Sequence, residues 1–282
     1  MNDWQLVSDS TCDLNPDSFD TGDIPFTTIP LKILVGTQEF IDSPQSDPRE
    51  MLAAMKNFSG ASSSACPSPY AFAEQFVKAA HTIAVTITSG LSGSYNSAVQ
   101  AMNMVLDEHP EKKIHVVDSR STAGSMVLIL RQLKQLIELG IPFDEIVRQI
   151  ESYRDTMKII FSLATFDNLV KNGRMSRAAG VLASALNIRA VATNTAEGVI
   201  EVIEKPRGEK RAVERMVALM GRYKDMTGKP VVITHCNNPS AVKIMCDLIK
   251  STYGTKDSDI TVLECACLTS FYAGDQGLLL SF

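Results

Sequence analysis

The first half of the chain alternates between short β-branched runs and apolar patterns with helical spacing. Residues 83–87 are typical of a buried strand, a Ser/Gly turn follows, and the helical pattern then covers 95–106. The same order returns where the strand-like run 114–118 precedes a long helical pattern over 123–139. Strands that alternate with helices through short loops predict a mostly parallel sheet up to about residue 155.

After residue 165 the pattern becomes that of an α+β fold. Residues 188–194 and 199–204 predict an antiparallel pair of strands around a turn. A helix is predicted over 208–226, and the runs 260–268 and 278–282 predict two further strands. The two halves of the chain therefore differ in architecture.

Composition and charge exclude several classes of function. The 282 residues are 45% hydrophobic and 21% charged, with a net charge of -5, and no basic run could follow a nucleic acid backbone. No apolar run reaches 18 residues, so stable membrane insertion is not expected. The six cysteines show no C-x-x-C spacing, which favours free thiols, and we predict a cytoplasmic protein.

The strongest candidate for a binding site is the Ser/Gly turn after the strand at 83–87. It carries hydroxyl groups and lies where a strand ends and a helix begins, a position that favours anions. No cation occurs between Lys78 and Lys112, so a carboxylate or a single phosphate fits better than a polyphosphate. Alternatively, Ser92 or Ser94 only caps the following helix.

Two further candidates lie outside this turn. Ser64 belongs to a serine-rich stretch over 59–69, predicted to be a loop, which two prolines stiffen. Arg174 lies at a predicted helix break before a restart at Ser176, where it could bind a carboxylate or phosphate, or form surface ion pairs together with Arg177. A zinc site at Cys265, Cys267 and the strand end 235–236 is conceivable, but buried cysteines usually pack as small apolar residues.

Catalytic motifs are absent from the sequence. There is no G-x-S-x-G, no G-x-G-x-x-G, no H-E-x-x-H and no paired-carboxylate motif, and none of the four histidines has a context that marks it as a base. We therefore predict a protein that is not an enzyme on its own and that has neither a cofactor nor a bound metal.

Five motifs in the same order resemble those of the DegV family. They are V-S-D-S-T-C-D-L at 7–14, S-A-C-P-S-P at 64–69, S-G-L-S-G-S-Y at 89–95, V-D-S at 117–119 and N-G-R-M-S at 172–176. The resemblance implies a two-domain α/β fold. A mostly parallel, Rossmann-like domain would cover 1–157, and a smaller α+β domain over 158–282 would close over the ligand.

The resemblance also implies a function. Such a protein holds one long-chain fatty acid, of roughly 14 to 18 carbons, between its domains and presents it to a separate fatty acid kinase subunit for acyl-phosphate formation. The family's carboxylate contacts correspond to Ser64 and Ser92, and the predicted site also contains Gly93, Ser94, Arg174 and Tyr272. Tyr272 takes the place of a family histidine, and Ala65-Cys66 replace a Ser-Gln pair.

Two other functions remain as alternatives. An enzyme acting on a small carboxylated or phosphorylated metabolite would use Arg174 as a clamp and would need a polar pocket of modest volume. A pure protein-interaction role would leave the pocket closed by side chains. An apolar tunnel for an acyl chain would instead be lined by residues from both halves, with candidates Leu91, Met126, Ile129, Ile160 and Phe161.

Overall fold

A computed structural model describes residues 3–176 and 188–282. The strands are β1 (Trp4–Asp9), β2 (Phe26–Ile29), β3 (Lys32–Val35), β4 (Gln38–Ile41), β5 (Ser62–Ala65), β6 (His81–Thr86), β7 (Lys113–Asp118), β8 (Ile159–Ser162), β9 (Val191–Asn194), β10 (Ile200–Glu204), β11 (Val231–His235), β12 (Ile260–Glu264) and β13 (Leu278–Ser281). The helices are α1 (Pro48–Asn57), α2 (Pro69–Phe76), α3 (Ser94–Glu108), α4 (Gly124–Glu138), α5 (Phe143–Asp155), α6 (Asp167–Lys171), α7 (Glu209–Tyr223), α8 (Pro239–Tyr253) and α9 (Cys267–Ala273).

The predicted parallel sheet is present and is covered on both faces. Its order is β2-β1-β6-β7, with every neighbouring pair parallel. In β6, Ile83 and Val85 pack in one core with α4, while Ala84 packs on the other side with Phe72 and Phe76 of α2. Burial of both faces explains why this strand is an unbroken apolar run rather than an alternating one.

The second half forms a mixed six-stranded sheet in the order β10-β9-β8-β13-β11-β12. The last strand, β13, lies antiparallel between β8 and β11, and the predicted antiparallel pair of β9 and β10 is confirmed. All strands of this sheet lie in 159–281, and those of the parallel sheet lie in 4–118. The domain boundary at 157/158 stays a prediction.

The two sheets are packed against each other through α4. Gly124, the first residue of α4, lies so near β11 that a Cβ placed on it would be 2.7 Å from the Cβ of Val232. Val232 is fully buried in the same core as the α4 side chains. This contact brings the carboxyl ends of the parallel strands towards the mixed sheet.

Two predictions about local structure were wrong. The loop predicted over 59–69 contains β5, which pairs with β3 in a small antiparallel sheet of order β4-β3-β5. The strand predicted over 260–268 ends at Glu264 and is followed by α9. Its apolar run is too short for periodicity to separate a strand from a buried helix.

The end of β12 at Glu264 also changes the positions of the two cysteines in the conceivable zinc site. Cys265 follows β12 and Cys267 begins α9, so the two do not share one face of a strand. Within 3–176 and 188–282, no group of three His, Cys, Asp or Glu side chains could hold a metal ion. In the same residues, none of the helices combines the length and apolar character that a membrane crossing requires. The helix restart predicted at Ser176, with Arg177, falls largely outside the described residues.

Candidate functional site

A cavity of about 830 Å³, including the part open to solvent, lies between the carboxyl edge of the parallel sheet and the mixed sheet. Its walls come from both halves of the chain and are mostly apolar. Representative apolar lining residues are Leu31, Leu91, Phe161, Leu163, Leu169 and Leu279.

Two of the predicted tunnel residues, Leu91 and Phe161, line this cavity. The other three lie in the cores around it: Met126 and Ile129 are fully buried beneath the parallel sheet, and Ile160 is buried on the far side of the mixed sheet. Because neighbouring residues of a strand point to opposite faces, Phe161 reaches the cavity and Ile160 does not.

Two hydroxyl groups meet at the cavity wall. The Ser64 Oγ and the Tyr272 Oη lie 2.7 Å apart, and both residues line the cavity. Ser64 is held by β5, where it pairs with Ile33 of β3, and Tyr272 lies on the last turn of α9. Both residues are half-buried. The pair can offer hydroxyl donors to an anionic group while remaining within reach of solvent.

The Ser/Gly turn leads from β6 into α3 and contributes Ser92 to the same wall. The first residue of α3 is Ser94, and Gly93 precedes it as the N-cap without a side-chain hydrogen bond. The Ser92 hydroxyl accepts the Ser94 N–H at 3.3 Å and lies 3.1 Å from the Ser94 hydroxyl. Ser92 thus satisfies one helix-terminal amide and also faces the cavity, so the capping interpretation and the binding interpretation are compatible.

Gly93 and Ser94 do not themselves line the cavity. Gly93 is exposed, and a Cβ placed on it would lie 3.1 Å from the Cys66 Sγ. Ser94 is fully buried. The close approach of Gly93 to Cys66 holds the Ser/Gly turn against the segment that follows β5, and so keeps the turn beside the strand that carries Ser64.

Arg174 lines the cavity at the end of α6. Gly173 has a φ of +74°, a left-handed conformation that suits glycine and lets the chain leave the helix. The Arg174 Nε donates to the Leu91 carbonyl at 3.1 Å, and Nη1 donates to the Asn172 carbonyl at 2.6 Å. Among the described residues no carboxylate pairs with Arg174, so the surface ion pair that was the alternative is not formed there.

A buried carboxylate lies beneath the turn. The Asp9 Oδ2 accepts the Ile87 N–H at 2.9 Å, and its Oδ1 accepts from the Thr11 hydroxyl. Burial raises the pKa of Asp9 from its ordinary 3.8 to about 6, although these hydrogen bonds lower it. Ile87 and Thr11 both line the cavity, whereas Asp9 does not. The hydrogen bonds of Asp9 therefore hold two residues of the wall in place.

Several residues of the wall were missed by the sequence analysis. Thr269 and Leu268 line the cavity from α9, and Asn194 lines it from the end of β9. Leu268 ends the run predicted as a strand and Thr269 lies just beyond it, so the motif context of Tyr272 was the only signal that pointed to α9. Of the four histidines, all in described residues, none lines the cavity.

A family model describing uncharacterised proteins of the DegV family matches residues 3–281. The chain belongs to the DegV family. A DegV domain-containing protein of Streptococcus pyogenes serotype M1 is 40% identical over 279 residues, which cover 99% of each chain.

Two solved structures share this fold. One is the fatty acid kinase (Fak) B3 protein of Streptococcus pneumoniae loaded with linoleic acid, at 37% identity and a TM-score of 0.94. The other is a DegV family protein of Eubacterium eligens loaded with heptadecanoic acid, at 36% identity and a TM-score of 0.92. Each comparison covers 99% of this chain and 98% of the other.

Proposed function

We propose that this DegV protein binds one long-chain fatty acid in the cavity and presents its carboxylate to a partner kinase. The observation that carries the proposal is a cavity with mostly apolar walls, formed by both halves of the chain, with hydroxyl groups and one arginine in its wall. Relatives of the same fold are loaded with fatty acids, and one of them is a fatty acid kinase subunit.

The apolar wall supplies the energy of binding. Burial of an acyl chain contributes about 0.8 kcal/mol per methylene, so roughly 14 methylenes supply up to ~11 kcal/mol before association and ordering costs. A small polar metabolite gains little from such a wall. The cavity therefore favours a fatty acid over the small carboxylated or phosphorylated substrate of the alternative enzyme.

The hydroxyl groups orient the carboxylate. Ser64, Tyr272 and Ser92 can each donate to a carboxylate oxygen, which offsets part of the cost of taking the charge out of water. Arg174 adds a positive charge. Its Nε and Nη1 donate to backbone carbonyls, and its remaining N–H groups can donate to an anion. We place Gly93 and Ser94 in support of Ser92 rather than in contact with the ligand.

The proposed reaction belongs to the partner. A kinase subunit would transfer the terminal phosphoryl group of ATP to a carboxylate oxygen, giving an acyl phosphate and ADP, while this protein holds the acyl chain. Arg174 lies in the wall beside the Ser/Gly turn, where it can bind the added phosphate. Since the partner uses ATP, the proposal places this protein in the cytoplasm.

Neighbouring serines on β5 provide a matched test. Ser64 lines the cavity, whereas Ser63 is exposed and points to the opposite face of the strand. We expect Ser64→Ala to raise the Kd of oleic acid by about tenfold, the value of one lost hydrogen bond to a charged group, and Ser63→Ala to leave it unchanged. Calorimetric titration of delipidated protein measures both.

Two ligand controls separate the acyl chain from the head group. Shortening the acid by two carbons should weaken binding by about tenfold, because about 1.6 kcal/mol of burial is lost. The methyl ester of the same acid should bind less well than the free acid, and Ser64→Ala should affect it less. Equal affinity for short and long acids would contradict the proposal.

A further inference from the structure

The helix that carries Tyr272 has no N-terminal capping side chain of its own. Ala266 precedes α9 as the N-cap and makes no side-chain hydrogen bond. The helix covers only seven residues, Cys267–Ala273, and helices of this length are not stable without help from tertiary contacts. Its first amide groups therefore need acceptors from elsewhere in the chain.

Two carboxylates from the first half of the chain supply these acceptors. The Asp13 Oδ1 accepts the Ala266 N–H at 2.8 Å, across 253 positions of sequence. The Asp42 Oδ1 accepts the Leu268 N–H at 3.0 Å, across 226 positions. Negative charge at a helix N-terminus also interacts favourably with the helix dipole.

Both carboxylates are fixed in place by their own segments. Asp13 has a left-handed φ of 55° at the end of the short 3₁₀ turn after β1, and its N–H bonds to the Ser10 carbonyl at 3.1 Å. Asp42 follows β4, and its N–H bonds to the Leu31 carbonyl at 2.9 Å. Asp42 is 2% exposed. The acceptors are therefore rigid, which suits them to holding a helix.

The helix in turn forms part of the cavity wall. Leu268, whose amide bonds to Asp42, lines the cavity, and so does Tyr272 one turn further along. Neither Asp13 nor Asp42 belongs to the described wall. The bonds to the Ala266 and Leu268 amides therefore give these carboxylates a route to the ligand through α9.

We propose that Asp13 and Asp42 are positioning residues that hold α9 so that the Tyr272 hydroxyl meets Ser64 at the head-group site. Through these two bonds the first half of the chain, which supplies Ser64, sets the place of the second hydroxyl of the pair. The inference rests on the proposed binding of a fatty acid, and it assigns the carboxylates no contact with that ligand.

A double-mutant cycle tests the inference with oleic acid as the probe. Asp42→Ala should raise the Kd by about tenfold, because the α9 amide loses its acceptor and the Tyr272 hydroxyl loses its position. Tyr272→Phe should raise the Kd by about fivefold, because the hydrogen bond of that hydroxyl is lost. In the Tyr272→Phe background, Asp42→Ala should raise the Kd by less than about twofold, because coupled residues are not additive. Asp42→Asn keeps an acceptor oxygen and should restore most of the affinity.

Asp225→Ala is the matched control. It removes an exposed carboxylate that also accepts a backbone N–H, from Thr227 at 3.0 Å, and that does not line the cavity. If Asp42→Ala does not fold, Asp42→Ser replaces it in the cycle, because its shorter side chain cannot reach the Leu268 amide. Thermal unfolding of each variant verifies that a folded protein is titrated.

The outcomes separate the two proposals. A wild-type protein that binds no fatty acid would overturn the proposed function. A wild-type protein that binds, together with an Asp42 variant of unchanged affinity, would overturn this inference alone. Full additivity of Asp42→Ala and Tyr272→Phe would also overturn it, because the carboxylate would then act by a route that does not include Tyr272.

Discussion

The two helices that begin beside the cavity, α3 and α9, have their first amides satisfied in opposite ways. In α3 the acceptor is local: the Ser92 hydroxyl accepts the Ser94 N–H two residues away. In α9 the acceptors are the carboxylates of Asp13 and Asp42, more than 200 residues away. The cap of α3 is the neutral Ser92 hydroxyl, which also faces the cavity, whereas the caps of α9 are the carboxylates of Asp42, which is buried, and Asp13, which is partly buried, and neither lines the cavity.

This difference separates two parts of the proposed head-group site. The α3 end is the part that contains Ser92, and the α9 end is the part that contains Tyr272. The α3 end takes its capping hydroxyl from within one turn of the chain. The α9 end depends on the correct packing of the two halves, because its capping groups and its helix come from different halves.

The largest effect concerns the pH dependence of stability at the α9 end. Burial raises the pKa of Asp42 from 3.8 to about 6, so the folded protein binds this proton more tightly than the unfolded chain does. The free energy of unfolding of the wild type, relative to Asp42→Asn, should therefore fall by up to about 3 kcal/mol as pH rises from about 4 to about 7. Urea unfolding of both proteins at several pH values measures the difference.

A constant difference across that pH range would mean that Asp42 is not buried as a titrating acid. The same measurement on Ser92→Ala serves as the comparison for the α3 end. Its difference from the wild type should not change with pH, because the Ser92 hydroxyl does not titrate in this range.

The second effect concerns affinity at the α3 end. Ser92→Ala should weaken fatty acid binding by about 1–2 kcal/mol, because a hydrogen bond to the carboxylate is lost. Ser68→Ala is the control, since Ser68 caps α2 by accepting the Ala71 N–H at 3.3 Å and does not line the cavity. It should lower stability without changing the Kd. Equal loss of affinity in both variants would remove Ser92 from the binding site.

The third effect is the loss of one hydroxyl at the α9 end. Tyr272→Phe removes the group that lies 2.7 Å from the Ser64 Oγ, and it should weaken binding by about 1 kcal/mol. Tyr70→Phe removes a hydroxyl from a side chain that is 71% exposed and should have no effect. Should Tyr272→Phe bind as tightly as the wild type, the Ser64 hydroxyl alone would suffice at this end.

The smallest effect concerns Ser94, which supports Ser92 from behind. Ser94→Ala should change the Kd by no more than about twofold, or ~0.4 kcal/mol, because the residue is fully buried and does not line the cavity. Titration of Ser94→Ala beside Ser92→Ala measures the contrast. An equal loss in the two variants would show that the two hydroxyls, 3.1 Å apart, act as one unit.

The contrast between the local cap of α3 and the distant caps of α9 also explains which parts of the site could be predicted from the sequence. The Ser/Gly turn, its strand and its helix are encoded within about 25 residues, so local patterns could single out Ser92, which lines the cavity. Arg174 was also located by a local signal, the helix break at Gly173. Ser64 was chosen for the wrong local structure, a loop, but the short strand β5 still brings it to the cavity.

The α9 end could not be predicted in the same way. The segment 260–268, shortly before Tyr272, is predicted as a strand because it is short and apolar. Such a run is compatible with a strand and with a buried helix. Its helix depends on two carboxylates that only the packed fold brings to Ala266 and Leu268. Nothing near Asp13 or Asp42 in the sequence indicates a hydrogen bond to a distant amide.

The claim that the cavity holds one fatty acid is tested by native mass spectrometry of the purified protein, followed by organic extraction of any bound ligand. We predict one ligand of fatty-acid mass per chain, and that addition of oleic acid converts any empty protein to the same one-to-one complex. A protein that is reproducibly empty and does not bind added long-chain acids would contradict the claim, and the small-metabolite enzyme would then be the better account of the cavity.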